Sequence, residues 1–82
     1  MDTQVITEMM KDYIAQVISV SPADVDENEN FFHMGISSIQ ALKIINKIRK
    51  QLNADVELAA MFEYKCVSEL AVYLSGCTEA VS

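Results

Sequence analysis

The sequence predicts an all-α fold: a small four-helix bundle of three main helices and one short helix, with a long loop between the first and second helices. Three observations carry that reading. Apolar residues recur at helical spacing in separate stretches of the chain. No segment alternates as a strand does, and there are no internal repeats. The chain has 82 residues, 51% of them hydrophobic, which suits one domain around one core.

The first helix is expected from about Thr3 to Ser19. Val5, Ile6, Met9, Met10, Tyr13, Ile14, Val17 and Ile18 recur with its period, while Glu8, Lys11, Asp12 and Gln16 fall on the other side. The period then lapses from Ser19 to Ser37, a long connection for so small a domain. Ser21-Pro22-Ala23-Asp24 can start a short turn, with Ser21 as cap and Pro22 at the first position. Val25, Phe31 and Phe32 are expected to pin the loop to the core. The acidic run Asp24, Asp26, Glu27 and Glu29 reads as a solvated loop; its spacing does not fit an EF-hand.

The second helix is expected from Ser38 to about Leu52. Ser37 suits the N-cap, and Gln40 three residues on completes a capping-box pattern. Ala41, Leu42, Ile44, Ile45, Ile48 and Leu52 form its apolar stripe. Ile39 falls off that stripe, near Lys43, Asn46 and Lys50, which leaves an apolar side chain exposed beside Ser38. After the break at Asn53-Ala54-Asp55, Leu58 to Glu63 can form one or two turns that bury Leu58, Met61 and Phe62. Val67, Leu70, Ala71 and Leu74 mark the last helix, with Gly76 in the place of a C-terminal cap. The domain is expected to span 3–76, followed by a short flexible tail, 77–82.

Composition removes several function classes. A formal charge of -6, from 12 acidic and 6 basic residues, disfavours nucleic acid as a partner. No stretch approaches a membrane span and no signal-peptide pattern opens the chain, so the cytoplasm is the expected compartment. Cys66 and Cys77 form no zinc-ligand pattern, and with one histidine no metal site is expected.

Ser38 is the residue through which the chain expresses chemistry. As a hydrolytic nucleophile it would need a base oriented by a third group. His33 is the only imidazole, and the GxSxG elbow is absent. As an acceptor it needs exposure and room for another active site to approach. Gly35 removes bulk and permits unusual backbone angles. The first turn of the helix offers free N–H groups to a phosphate. The chain is therefore expected to be non-catalytic.

Phe31-Phe32-His33-Met34-Gly35-Ile36-Ser37-Ser38-Ile39 resembles the phosphopantetheine attachment motif of acyl and peptidyl carrier proteins. That motif is usually an aromatic pair, two variable residues, then Gly-x-Asp-Ser-Leu or Gly-Gly-x-Ser-Leu. Met61-Phe62-Glu63-Tyr64-Lys65-Cys66-Val67-Ser68-Glu69-Leu70 is similar to the family's Leu-Phe-Glu-x-Pro-Thr-Ile-x-x-Leu segment, and Val25 and Phe31 match its loop anchors. The resemblance covers about Val5 to Leu74. It implies that a phosphopantetheinyl transferase moves a 4'-phosphopantetheine arm from coenzyme A onto Ser38, and that the arm carries acyl or aminoacyl groups as thioesters. It implies acyl-loading and condensing partners: a ketosynthase, an acyltransferase or a condensation domain. Combined with the helical wheel, it names Met34, Ile36, Ile39, Leu42, Lys43 and Asn46 as the recognition surface of a monomeric carrier.

Three positions depart from the family pattern. Ser37 stands where Asp is frequent. The second helix carries Lys43, Lys47, Arg49 and Lys50, where fatty-acid carriers usually show acids; this favours a polyketide or mixed polyketide–peptide assembly line. Lys65-Cys66 replaces Pro-Thr, an expected loss of about 1 kcal/mol in capping the last helix. The single motif glycine leans toward acyl cargo. The alternatives are a peptidyl carrier of a nonribosomal peptide synthetase, or a carrier-like interaction module without an arm.

Overall fold

The computed structural model describes residues 2–81, with 77–81 described through the backbone alone. Four α-helices follow in order: α1, Thr3–Ile18; α2, Ser38–Leu52; α3, Ala59–Glu63; and α4, Val67–Val81. Two 3-10 turns, Pro22–Asp24 and Phe31–Met34, lie in the connection between α1 and α2. No strand occurs among the described residues.

Local chemistry sets the helix ends. Asp2 caps α1 by accepting from the Gln4 N–H, and Ser19 ends it in a left-handed conformation, φ 59°. Asn53 ends α2 in the same way, φ 51°. Ser21 and Pro22 open the first 3-10 turn as their order predicts. α1 packs chiefly along α4 and also meets α2.

The core gathers Ile6, Met10 and Ile14 of α1, Ile44, Ile45 and Ile48 of α2, Val56, Met61 of α3, and Val67, Leu70 and Leu74 of α4, all fully buried. Each such side chain contributes roughly 1.5–3 kcal/mol of transfer free energy before chain entropy is subtracted. Val25 and Phe31 join them and anchor the long loop. Val5, placed on an apolar stripe by its periodicity, is instead exposed; Leu42, on the α2 stripe and also named for the recognition surface, is exposed as that naming requires. They stand at the edges of their stripes, where the neighbouring helices no longer cover them.

The loop also fastens to α4. The carbonyl of Glu27 accepts from the Ser68 N–H at 3.0 Å, and the Phe31 N–H donates to the Lys65 carbonyl at 2.8 Å. The Ser68 hydroxyl donates to Asn28 Oδ1 at 3.2 Å. Lys11 of α1 pairs with the Glu27 carboxylate at 2.8 Å. A backbone carbonyl from the loop thus takes an N–H in the first turn of α4, next to Cys66, where the side-chain cap was expected to be weak.

Two expectations need correction here. Gly76 does not end the last helix, for α4 continues through it to Val81. A glycine within a helix costs about 0.5–1 kcal/mol relative to alanine, little against the packing of Leu70, Ala71 and Leu74 on the core. The side chains of 77–81 and the whole of Ser82, to which the expected tail belongs, lie outside the described residues. Phe62, expected in the core, is 46% exposed. In the short α3 only Ala60 and Met61 turn fully inward.

Candidate functional site

The approach to Ser38 is built residue by residue. Asn30 caps the second 3-10 turn, its side-chain oxygen accepting from the Phe32 N–H at 2.8 Å. The turn ends at Gly35, whose φ of 99° lies outside the range L residues favour. The Ile36 N–H then returns to the Phe31 carbonyl. This reversal drops the Ile36 side chain into the core, where it is 3% exposed. Ile36 therefore does not belong to the recognition surface predicted for it. It is the plug beneath the loop, because the chain must re-enter the bundle between the glycine turn and the start of α2.

Ser37 and Gln40 form the predicted capping box. The Ser37 hydroxyl accepts from the Gln40 N–H at 3.2 Å, and Gln40 Oε1 accepts from the Ser37 N–H at 2.9 Å. Ser38 is thereby fixed as the first helical residue, and it is exposed. Among the described residues, nothing hydrogen-bonds its hydroxyl, and the N–H groups of Ser38 and Ile39 have no acceptor. An unencumbered hydroxyl beside two open N–H groups at the positive end of a 15-residue helix fits a phosphodiester formed on that oxygen.

The surroundings are apolar on one side and cationic on the other. Ile39 is 70% exposed and Leu42 44%. Lys43 and Asn46 are exposed, and Met34 is half-buried. Phe62 stacks on Phe32 with centroids 5.0 Å apart and planes inclined by 12°. Phe62, the exposed member of this pair, was not foreseen as part of the surface, since α3 is too short for periodicity to show which side faces out. His33 is mostly exposed and lies 3.6 Å from Glu29. No hydrogen bond joins it to Ser38 among the described residues.

The cations of α2 differ in their company. Lys47 leans back on α1, donating to Gln16 Oε1 at 3.4 Å and lying 5.5 Å from the centre of the Tyr13 ring. Arg49 is 3.7 Å from the exposed Asp55 carboxylate. Lys43 and Lys50 have no acidic partner among the described residues.

Comparison with known proteins agrees with this geometry. The model of the family described as "Phosphopantetheine attachment site" matches residues 9–74. Over 77 residues the chain is 34% identical to tyrocidine synthase 2 of Brevibacillus parabrevis, an alignment covering 90% of this chain and 2% of the synthase. Over 74 residues it is 27% identical to gramicidin S synthase 2 of Brevibacillus brevis, again 90% of this chain and 2% of the relative. The chain thus spans about 2% of the length of these relatives. Its fold matches a free-standing peptidyl carrier protein of Acinetobacter baumannii with a TM-score of 0.88 at 23% identity, covering 92% of this chain and 94% of that one. No helix among the described residues is long and apolar enough to cross a membrane. The chain belongs to the phosphopantetheine attachment family and is a carrier domain of that family, whose covalent cofactor is 4'-phosphopantetheine.

Proposed function

We propose that Ser38 is the attachment residue and that this chain holds biosynthetic intermediates for the enzymes of an assembly line. One observation carries the reading: the only hydroxyl in the family motif that stands exposed, unbonded and at the start of α2 is that of Ser38. Ser37 is occupied as the cap. When bound, the arm supplies a flexible tether ending in a thiol that takes acyl or aminoacyl groups as thioesters. The chain's own residues receive and present it. Gly35 leaves open space before the helix, Ser38 would give the oxygen, and the N–H groups of Ser38 and Ile39 would be the donors available to hold the phosphodiester. The chain acts on no substrate itself; tethering raises the local concentration of cargo for each enzyme it visits.

The carrier unit spans 3–76, with 77–82 as its tail, and it works as a monomer in the cytoplasm. Its partners are a phosphopantetheinyl transferase and acyl- or aminoacyl-loading and condensing enzymes: a ketosynthase, an acyltransferase or a condensation domain. The peptide synthetases among its relatives support aminoacyl cargo, in a peptide or mixed polyketide–peptide line. The single motif glycine supports acyl cargo as the second reading. An armless module has less support, because Ser37 performs the capping that the frequent Asp would perform.

Intact-mass measurement tests the proposal. With coenzyme A, magnesium and a broad-range transferase, the chain gains one phosphopantetheine mass and Ser38→Ala gains none. An unchanged wild-type mass across several transferases, or modification that survives in Ser38→Ala, overturns it.

A further inference from the structure

The junction of α3 and α4 carries an open patch that shares no residue with the surroundings of Ser38. Val72, within α4, is 64% exposed. It borders a shallow hollow of about 570 Å³ lined by Glu63, Tyr64, Ser68, Glu69 and Val72. Tyr64 is half-buried and stacks on Tyr73 of α4, with centroids 4.6 Å apart and planes inclined by 18°, so one wall of the hollow is a fixed ring. Glu69 and Val72 lie three residues apart and share one face of α4. Glu63 and Glu69 are exposed, and among the described residues neither carboxylate enters an ion pair. Glu63 also lines an adjoining smaller hollow together with Asp55 and Glu57. Single exposed valines are ordinary on a protein surface. This one extends an aromatic wall and stands beside two unpaired carboxylates.

We propose that this patch docks a short basic segment of a partner protein, with one aliphatic side chain seated against Tyr64 and Val72 and flanking Lys or Arg residues meeting Glu63 and Glu69. Charge complementarity selects that occupant. A nucleic acid or an anionic bilayer is repelled by the carboxylates and by the chain's formal charge of -6. A second copy of the chain brings the same net charge and is repelled likewise. A neutral apolar segment would cover Val72 but strip water from Glu63 and Glu69 without replacing it. Lys and Arg do both: their aliphatic stems lie along the ring and the valine while their charged ends reach the carboxylates. A partner held here leaves the Ser38 hydroxyl and Ile39 uncovered. The chain can then be retained by one protein while it presents Ser38 to another, which keeps its effective concentration high.

The test uses the whole unmodified chain, isotope-labelled for NMR, so its outcome is separate from that of the Ser38 modification. The probe is an acetylated, amidated pentapeptide with leucine between two pairs of lysines. Its control has glycine in place of leucine and the same charge. Amide shifts on adding the leucine peptide should centre on Glu63, Tyr64, Ser68, Glu69 and Val72. That peptide should bind at least about fivefold more tightly than the control. Val72→Ser should abolish the preference, while Glu63→Gln/Glu69→Gln, or NaCl at about 500 mM, should weaken both peptides. The substituted side chains are all exposed, and unchanged amide shifts of the core residues verify the fold of each variant. Equal affinity for the two peptides overturns the proposal, as does the absence of any shift at the patch. So does a preference that survives in Val72→Ser, or a leucine-peptide response centred on the acids of the loop 24–29. Broadening of the patch signals that grows with chain concentration in the absence of peptide would make a second copy the occupant and overturns it too.

Discussion

Ile36 and Ile39 stand three residues apart at the same helix start and should fail in opposite ways when truncated. Ile36 is 3% exposed and Ile39 70%. Truncating a buried isoleucine to alanine costs about 2–5 kcal/mol, the loss growing with the cavity left behind. Ile36 lies at the rim of the core beneath the Gly35 turn, where partial collapse is available, so about 2–3 kcal/mol is expected. A domain of this size has a total stability of about 4–12 kcal/mol at the usual value per residue. The loss corresponds to a fall in Tm of about 8–24 °C. Ile39→Ala removes atoms already in water and should change stability by no more than about 0.5 kcal/mol. The assay is thermal and urea unfolding followed by far-UV circular dichroism, with the urea slope required to stay constant. Loading of the modified chain is measured alongside. Ile36→Val should fall between wild type and Ile36→Ala. Equal destabilisation by Ile36→Ala and Ile39→Ala, or an Ile36→Ala melt within about 2 °C of wild type, would refute the division of these residues into plug and contact.

Two further outcomes follow from the same structure. At Gly35 an added methyl group meets no atom within 4 Å, so only the positive φ resists substitution. Gly35→Ala should cost about 1–2 kcal/mol, and D-alanine, introduced by chemical synthesis, should cost nothing or stabilise; equal losses for both enantiomers would place the cost in packing instead. The hydrogen bond from Lys11 to Glu27, opposed by burial and aided by the charges of Glu27, Glu8 and Asp26, holds the Lys11 ammonium above its ordinary pKa of 10.5. The raised value means the folded chain binds this proton more tightly than the unfolded one. Its stabilisation is therefore fully present below the ordinary value and fades as pH rises through the folded value. Lys11→Met should be less stable than wild type at pH 7, with the gap closing as pH rises through the folded value; a gap independent of pH contradicts the assignment.

Much of the site was legible because its determinants are local. The Ser37–Gln40 box, the Gly35 turn and the start of α2 each depend on residues within four positions of one another, so the sequence states them directly. Val25 and Phe31 were readable as anchors because large apolar residues in a polar loop have little else to do. Ile36 was not, because one apolar residue between a glycine and a helix cap has no period to show its side. Val5 was misplaced because a wheel gives the centre of a stripe, while its edges are decided by the width of the neighbouring helices, and Phe62 because α3 is too short to show a stripe. Gly76 looked like a stop because glycine is frequent at helix ends, yet only a left-handed backbone makes it one. The bond from Ser68 to the Glu27 carbonyl left no trace at all, since every residue has a carbonyl.

That last contact ties the birth of one helix to a distant stretch of chain. The opening turn of α4 borrows an acceptor some forty positions earlier, so a peptide cut to α3 and α4 loses the partner that Ser68 uses in the whole protein. The stretch that ends by offering Ser38 to solvent is the same one that completes α4 on the way. The approach to Ser38 and the closing of the bundle are in this respect joined, and a slackened α4 should loosen that approach.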